Sequence, residues 1–94
     1  MRIELRNTGS DAAMERHYQR LIEAGWEAMV SKETRTIKGF KPSWDVEETK
    51  YEIVLGPENE TDILFDLFDV LQQELIVYRE NGKPVIEIYD DWRE

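Results

Sequence analysis

Cysteine is absent from the 94 residues, which removes disulfides, thiolate nucleophiles and thiolate metal sites and excludes the disulfide-stapled secreted class. A reducing cytosol is therefore the expected location. Histidine occurs once, at His17, so there is no paired imidazole set for a metal, and no cofactor or metal is expected. Long apolar runs are also missing. The longest, Leu75 to Tyr78, falls far short of the roughly 20 residues that cross a bilayer, and no membrane contact is expected. Met1 to Arg6 alternates charge with apolar side chains and offers no continuous apolar stretch of the signal-peptide kind. No Gly-rich phosphate loop or nucleophile elbow is present.

Positive charge is scarce where acid is abundant. The net charge is −9, and Pro57 to Glu94 holds eleven Asp/Glu against three Lys/Arg, while the residues before it are nearly balanced. A fold does not require that asymmetry, so it points to a partner that is not negatively charged. A single domain is expected over residues 1–94, one that buries only about 60% of the surface exposed by the unfolded chain.

Periodicity supplies the elements. Arg2 to Arg6 reads as a strand with Ile3 and Leu5 on one face. Ser10-Asp11 is a helix start, and Met14, Tyr18, Leu21 and Ile22 form an apolar stripe that ends at Gly25. Trp26 to Lys38 and Asp45 to Leu55 read as the arms of a long hairpin. Pairing Val30 with Ile53 also sets Lys38 against Asp45, Arg35 against Glu48, Glu33 against Lys50 and Ala28 against Leu55, a register rich in opposite-charge and apolar pairs. At about 3.3 Å per residue the hairpin tip, Gly39 to Trp44, projects past the first strand.

Gly56-Pro57 is expected to begin a second helix. On it, Asp62, Asp66 and Asp69 form a narrow polar stripe, and apolar residues cover more of the circumference than one sheet face needs. Leu75 to Glu80 and Lys83 to Tyr89 form a hairpin through Asn81-Gly82. The order β-α-β-β-α-β-β makes an α+β fold whose first six elements resemble the split βαβ, ferredoxin-like arrangement. That resemblance implies an antiparallel sheet of order 5-4-1-3-2, extended by the C-terminal hairpin, with both helices on one face.

Candidate surfaces follow. The stripe Asp62, Asp66 and Asp69, preceded by Glu58 and Glu60 and flanked by Phe65, Phe68 and Val70, suits a basic protein partner, with apolar anchors supplying energy and acids orienting the approach; its bland reading is a solvated helix face. Tyr78, Val85 and Tyr89 share the sheet face away from the helices with Ile76, to be covered by Trp92 or by a second copy of the chain. Phe40 and Trp44 at the hairpin tip form a secondary contact point. Aromatics on an open sheet face stack bases in RNA-recognition modules, but the surrounding acid repels phosphate, and no direct nucleic-acid contact is expected. His17 reads as a helix-border residue, and Asp45, Glu48 and Lys50 only superficially match the acid-x-Lys end of metal-dependent nucleases.

The leading expectation is a non-catalytic protein–protein interaction module, possessing the chemistry of a regulator or inhibitor of a basic, nucleic-acid-handling protein. A homo-oligomeric accessory protein is the second, and a small metal-dependent hydrolase the third. The excess of acid also means that folding concentrates like charge. Moderate added salt at neutral pH should therefore raise the melting temperature in a calorimetric scan, whereas a flat response would mean that the acids are internally paired.

Overall fold

In the computed structural model, residues 1–57 and 62–90 are described. Their elements are β1 (Arg2–Asn7), α1 (Asp11–Glu23), β2 (Val30–Ile37), β3 (Val46–Val54), α2 (Ile63–Leu71), β4 (Glu74–Glu80) and β5 (Lys83–Tyr89), with a 3-10 turn at Pro42–Trp44. They make an α+β fold: one five-stranded mixed sheet with both helices on one side, its strand order roughly that of the split βαβ, ferredoxin-like arrangement.

Local chemistry explains the helix ends. Ser10 Oγ accepts the Ala13 N–H at 3.2 Å and caps α1. At the other end Gly25 takes φ +93°, its N–H donates to the Ile22 carbonyl, and the Trp26 N–H donates to the Leu21 carbonyl at 2.9 Å. This is a Schellman motif, and it fixes Trp26 as the residue that follows the turn. α2 starts at Ile63 rather than at the expected Pro57; Glu58 and Glu60 lie outside the described residues. It ends at Gln72, which takes a left-handed φ of 55°.

The β2–β3 register is the one expected from the charge pairs, Val30↔Ile53 through Ile37↔Val46. Its base is shorter than the sequence reading, because Trp26 to Met29 turns instead of extending: the Trp26 carbonyl accepts from Met29 and Val30. Leu55 bonds to Met1 rather than pairing with Ala28. Of the three charge pairs, Arg35–Glu48 forms at 3.0 Å. Lys50 instead leans toward Glu4 at 3.8 Å, and Asp45 accepts the Gly39 N–H at 3.0 Å. Beyond Tyr51 the hairpin carries only exposed side chains, and it stretches the molecule to 46 Å along its longest axis.

The terminal hairpin corrects the expected topology. The strand order is β2-β3-β1-β5-β4, so β5 enters between β1 and β4 and runs parallel to β1, with Glu4↔Val85 through Asn7↔Ile88. Burial explains the exchange. Val85, Ile86 and Ile88 are all at most 1% exposed, which only a central strand covered on both faces provides, whereas β4 leaves Ile76 and Val77 in solvent. Pro84 lies just before the β1–β5 ladder, so its missing N–H forfeits no bond there. Asn81 (φ 52°) and Gly82 (φ 78°) form the tight turn.

The core lies between the sheet and the helices and centres on Leu21, Ile53, Leu67, Leu71, Ile86 and Ile88. Leu67→Ala should cost about 2–5 kcal/mol of unfolding free energy, a large share of the roughly 5–15 kcal/mol typical of a domain. Phe40→Ala, at a side chain 95% exposed, should change stability by less than about 0.5 kcal/mol. Urea denaturation of both variants measures the contrast.

Candidate functional site

α2 carries two different surfaces on its two flanks. One flank places Asp62, Asp66 and Asp69 around a groove of about 400 Å³ whose other wall is Trp26 and Met29, with Ile63 and Val70 at the helix side. Trp26 is buried at 8% exposure and is held there by the Schellman turn, so the groove has a fixed aromatic side. All three carboxylates are exposed, and none makes an ion pair or side-chain hydrogen bond among the described residues. Their spacing of three and four residues stacks like charge along the helix, costing about 0.2–0.5 kcal/mol per neighbouring pair. Asp69 also sits near the negative end of the helix dipole. Asp62 at the N-cap and Asp66 in the first turn are favoured by the positive end of the helix dipole, so the placement that brings the helix no gain is that of Asp69.

The other flank is apolar. Phe65, Phe68 and Leu64 are 77, 46 and 40% exposed and border a groove of about 480 Å³ with Glu74, Leu75, Ile76 and Val77 of β4. The aromatics expected to ring the acid stripe thus face away from it, toward the sheet edge. The helix covers the β5 end of the sheet but leaves Val77 bare at 55% exposure.

The sheet face away from the helices is not the open surface expected for Tyr78 and Val85. Val85 is 1% exposed and half-buried Tyr78 stands beside it, because Arg6 reaches from β1 across β5 to β4. Its guanidinium donates to Glu4, to Glu80 and, at 3.2 Å, to the Tyr78 hydroxyl. These partners hold Arg6 protonated well above its ordinary range, Glu4 and then Glu80 foremost, against the opposing effect of burial. Arg6 thus ties β1 to β4 across this face. Tyr89 remains 46% exposed, and Trp92 lies outside the described residues.

At the hairpin tip Phe40 is 95% and Trp44 56% exposed, with Lys41 Nζ 5.3 Å from the Trp44 ring centroid. Asp45, Glu48 and Lys50 do not converge: Asp45 holds the tip backbone, Glu48 takes Arg35 and Lys50 approaches Glu4. No group of three or more His, Asp or Glu suited to a metal ion occurs among the described residues.

Asp90 was not singled out in the sequence, yet it organises one end of the fold. Its Oδ1 lies 2.5 Å from His17 Nε2, its Oδ2 accepts from Asn7 Nδ2 at 2.7 Å and from the Gly9 N–H at 3.2 Å, and its own N–H donates to Thr8 Oγ1. A Cβ on Gly9 would stand 2.6 Å from that carboxylate. Burial raises the Asp90 carboxyl's pKa, but His17, Asn7 and the Gly9 N–H outweigh it and hold the group below the usual range. His17 is accordingly a buried structural residue, 7% exposed, rather than one at the helix border. The partners lie 73 residues apart, and no local pattern announces them.

No protein-family model, curated protein or solved structure matches the chain. No described helix is long and apolar enough to cross a membrane.

A second latch joins α1 to the hairpin base. Glu15 accepts from Lys32 Nζ at 2.8 Å and from the Tyr51 hydroxyl at 2.6 Å, and these with Gln19 bring its pKa down from 4.5 to about 2. The folded value is below the unfolded one, so this stabilisation is complete above pH 4.5 and is lost as the pH falls toward about 2. Asp90 acts in the same sense. Glu15→Gln should flatten the acid limb of a melting-temperature profile between about pH 5 and pH 2, measured by circular dichroism, with no matching change near neutrality beyond a constant offset.

Proposed function

We propose that this protein is a non-catalytic interaction module of the cytosol that binds a basic protein segment in the groove between α2 and the Trp26–Met29 turn. The observation that carries the reading is the set of three carboxylates, Asp62, Asp66 and Asp69, that have no ion-pair partner among the described residues and are arranged along a groove with a fixed tryptophan wall. Like charge at one-turn spacing weakens a helix, and among the described residues no lysine or arginine offsets it. A bound Lys- or Arg-bearing segment would offset it, and the indole would pack on the stem or cation of such a side chain. The chain's overall charge of −9 adds long-range steering toward the same partner. A surface of this kind suits a regulator that occupies the phosphate-binding ground of a nucleic-acid-handling protein.

Capture from the native cell with the wild type and with the Asp62→Asn, Asp66→Asn, Asp69→Asn triple variant, quantified by mass spectrometry, tests the proposal. Proteins retained by the wild type and lost from the variant should be basic, and the association rate of an isolated partner should fall on the order of tenfold in the variant and again with added salt. Capture of acidic proteins only, or binding indifferent to the three substitutions, would count against it.

A further inference from the structure

We propose that two copies of this chain pair antiparallel through the free edge of β4, with Ile76 on the twofold axis, to make one continuous sheet with all four helices on the same side. The two edges of the five-stranded sheet differ in how they meet solvent. β2 carries Lys32, Glu33 and Arg35, the charged pattern that discourages strand addition. β4 carries the uncharged run Leu75-Ile76-Val77-Tyr78, pairs one-for-one with β5 without a bulge, and contains no proline. Glu80↔Lys83 closes the two-residue turn, so alternate residues from Glu80 back to Glu74 bond to β5, and the backbone N–H and C=O of Leu75, Val77 and Arg79 point outward.

Apolar side chains border that edge on both faces of the sheet, those of α2 and Val77 on the helix side and Ile76 on the other. Leu64, Phe65, Phe68, Ile76 and Val77, between 40 and 77% exposed, together present on the order of 400–500 Å² of apolar surface, the size of the largest and often functional patch of a monomer. A stable interface buries roughly 800 Å² per partner, so the edge backbone and its polar neighbours have to supply the remainder of the contact.

The strand's own sequence favours a second copy as the occupant. A twofold axis normal to the sheet keeps each side chain on its own face, so only like-facing residues can oppose one another. Centring on Val77 would set Glu74 against Glu80 twice, a like-charge clash. Centring on Ile76 sets Leu75 against Val77, whose outward backbone groups then exchange both hydrogen bonds, and sets Glu74 against Tyr78. That second pair is complementary. The Tyr78 hydroxyl accepts from Arg6, which leaves its proton to donate, and the Glu74 carboxylate has no partner among the described residues. Among the described residues Glu74 is the one charged side chain bordering the apolar groove, so a basic segment would find little to pair with here, unlike in the acidic groove on the opposite flank of α2. In the dimer the two acidic grooves stay open.

Sedimentation equilibrium and amide hydrogen exchange from about 10 μM to about 1 mM test the proposal. The chain should become dimeric, and the Leu75 and Val77 amides should slow by about tenfold or more with concentration while the outer-edge amides of β2 do not. Ile76→Lys, at a position 44% exposed, should keep the melting behaviour of a folded monomer and raise the dimer dissociation constant by at least about tenfold. Added salt should tighten the dimer, because each copy carries −9, whereas it weakens capture of a basic partner. The triple Asp→Asn variant should still dimerise, so the two proposals fail separately. A chain monomeric throughout the range, a dimer whose Leu75 and Val77 amides exchange as in the monomer, or a dimer indifferent to Ile76→Lys would overturn it.

Discussion

The position of β5 between β1 and β4 is the constraint on which the remaining structure turns. Val85, Ile86 and Ile88 place apolar side chains on both faces of one short strand, and removing both faces from water requires a neighbour on each side, helices above and a covering group below. Parallel pairing with β1 meets the first need. It also brings the end of β5 beside the β1–α1 turn, where Thr8 donates to the Ile88 carbonyl and Asp90 collects Asn7, Gly9 and His17.

Two further features follow from that placement. Arg6, on β1, now stands one strand away from β4 and can bridge β5 to reach Tyr78 and Glu80, which ties the two strands together across the outer face. β4, displaced to the edge, meets only one flank of α2. The nine-residue helix buries Ile63, Leu67 and Leu71, a single stripe, although Leu64, Phe65 and Phe68 are also apolar. The surplus lies along the strand edge instead of around the acids.

The division of α2 into an acidic and an apolar flank gives the protein two surfaces of opposite chemistry. The acidic flank costs the helix some stability through repulsion, and its wall is set by Gly25, whose left-handed backbone turns the chain so that Trp26 packs against the groove. The apolar flank is continuous with unpaired backbone groups. Under the two proposals made above, a dimer joined at that edge would present two acidic grooves to one partner and gain affinity from their linkage.

Local chemistry was legible wherever neighbours in sequence are neighbours in space. The Ser10 cap, the Gly25 stop, the Asn81-Gly82 turn and the β2–β3 register all depend on residues within one turn or one hairpin, and propensity and charge pairing determine them. The exposed state of Phe40 and of the three aspartates belongs to the same class, since nothing nearby could bury or neutralise them. Tertiary structure alone decided the order of β4 and β5, the bridge from Arg6 to Tyr78, the separation of the phenylalanines from the acids and the latch between His17 and Asp90. Each of these rests on which strand the last hairpin offers to β1. Both of its strands alternate apolar side chains, so the pattern is satisfied either way; only the burial available on two faces at once tells them apart.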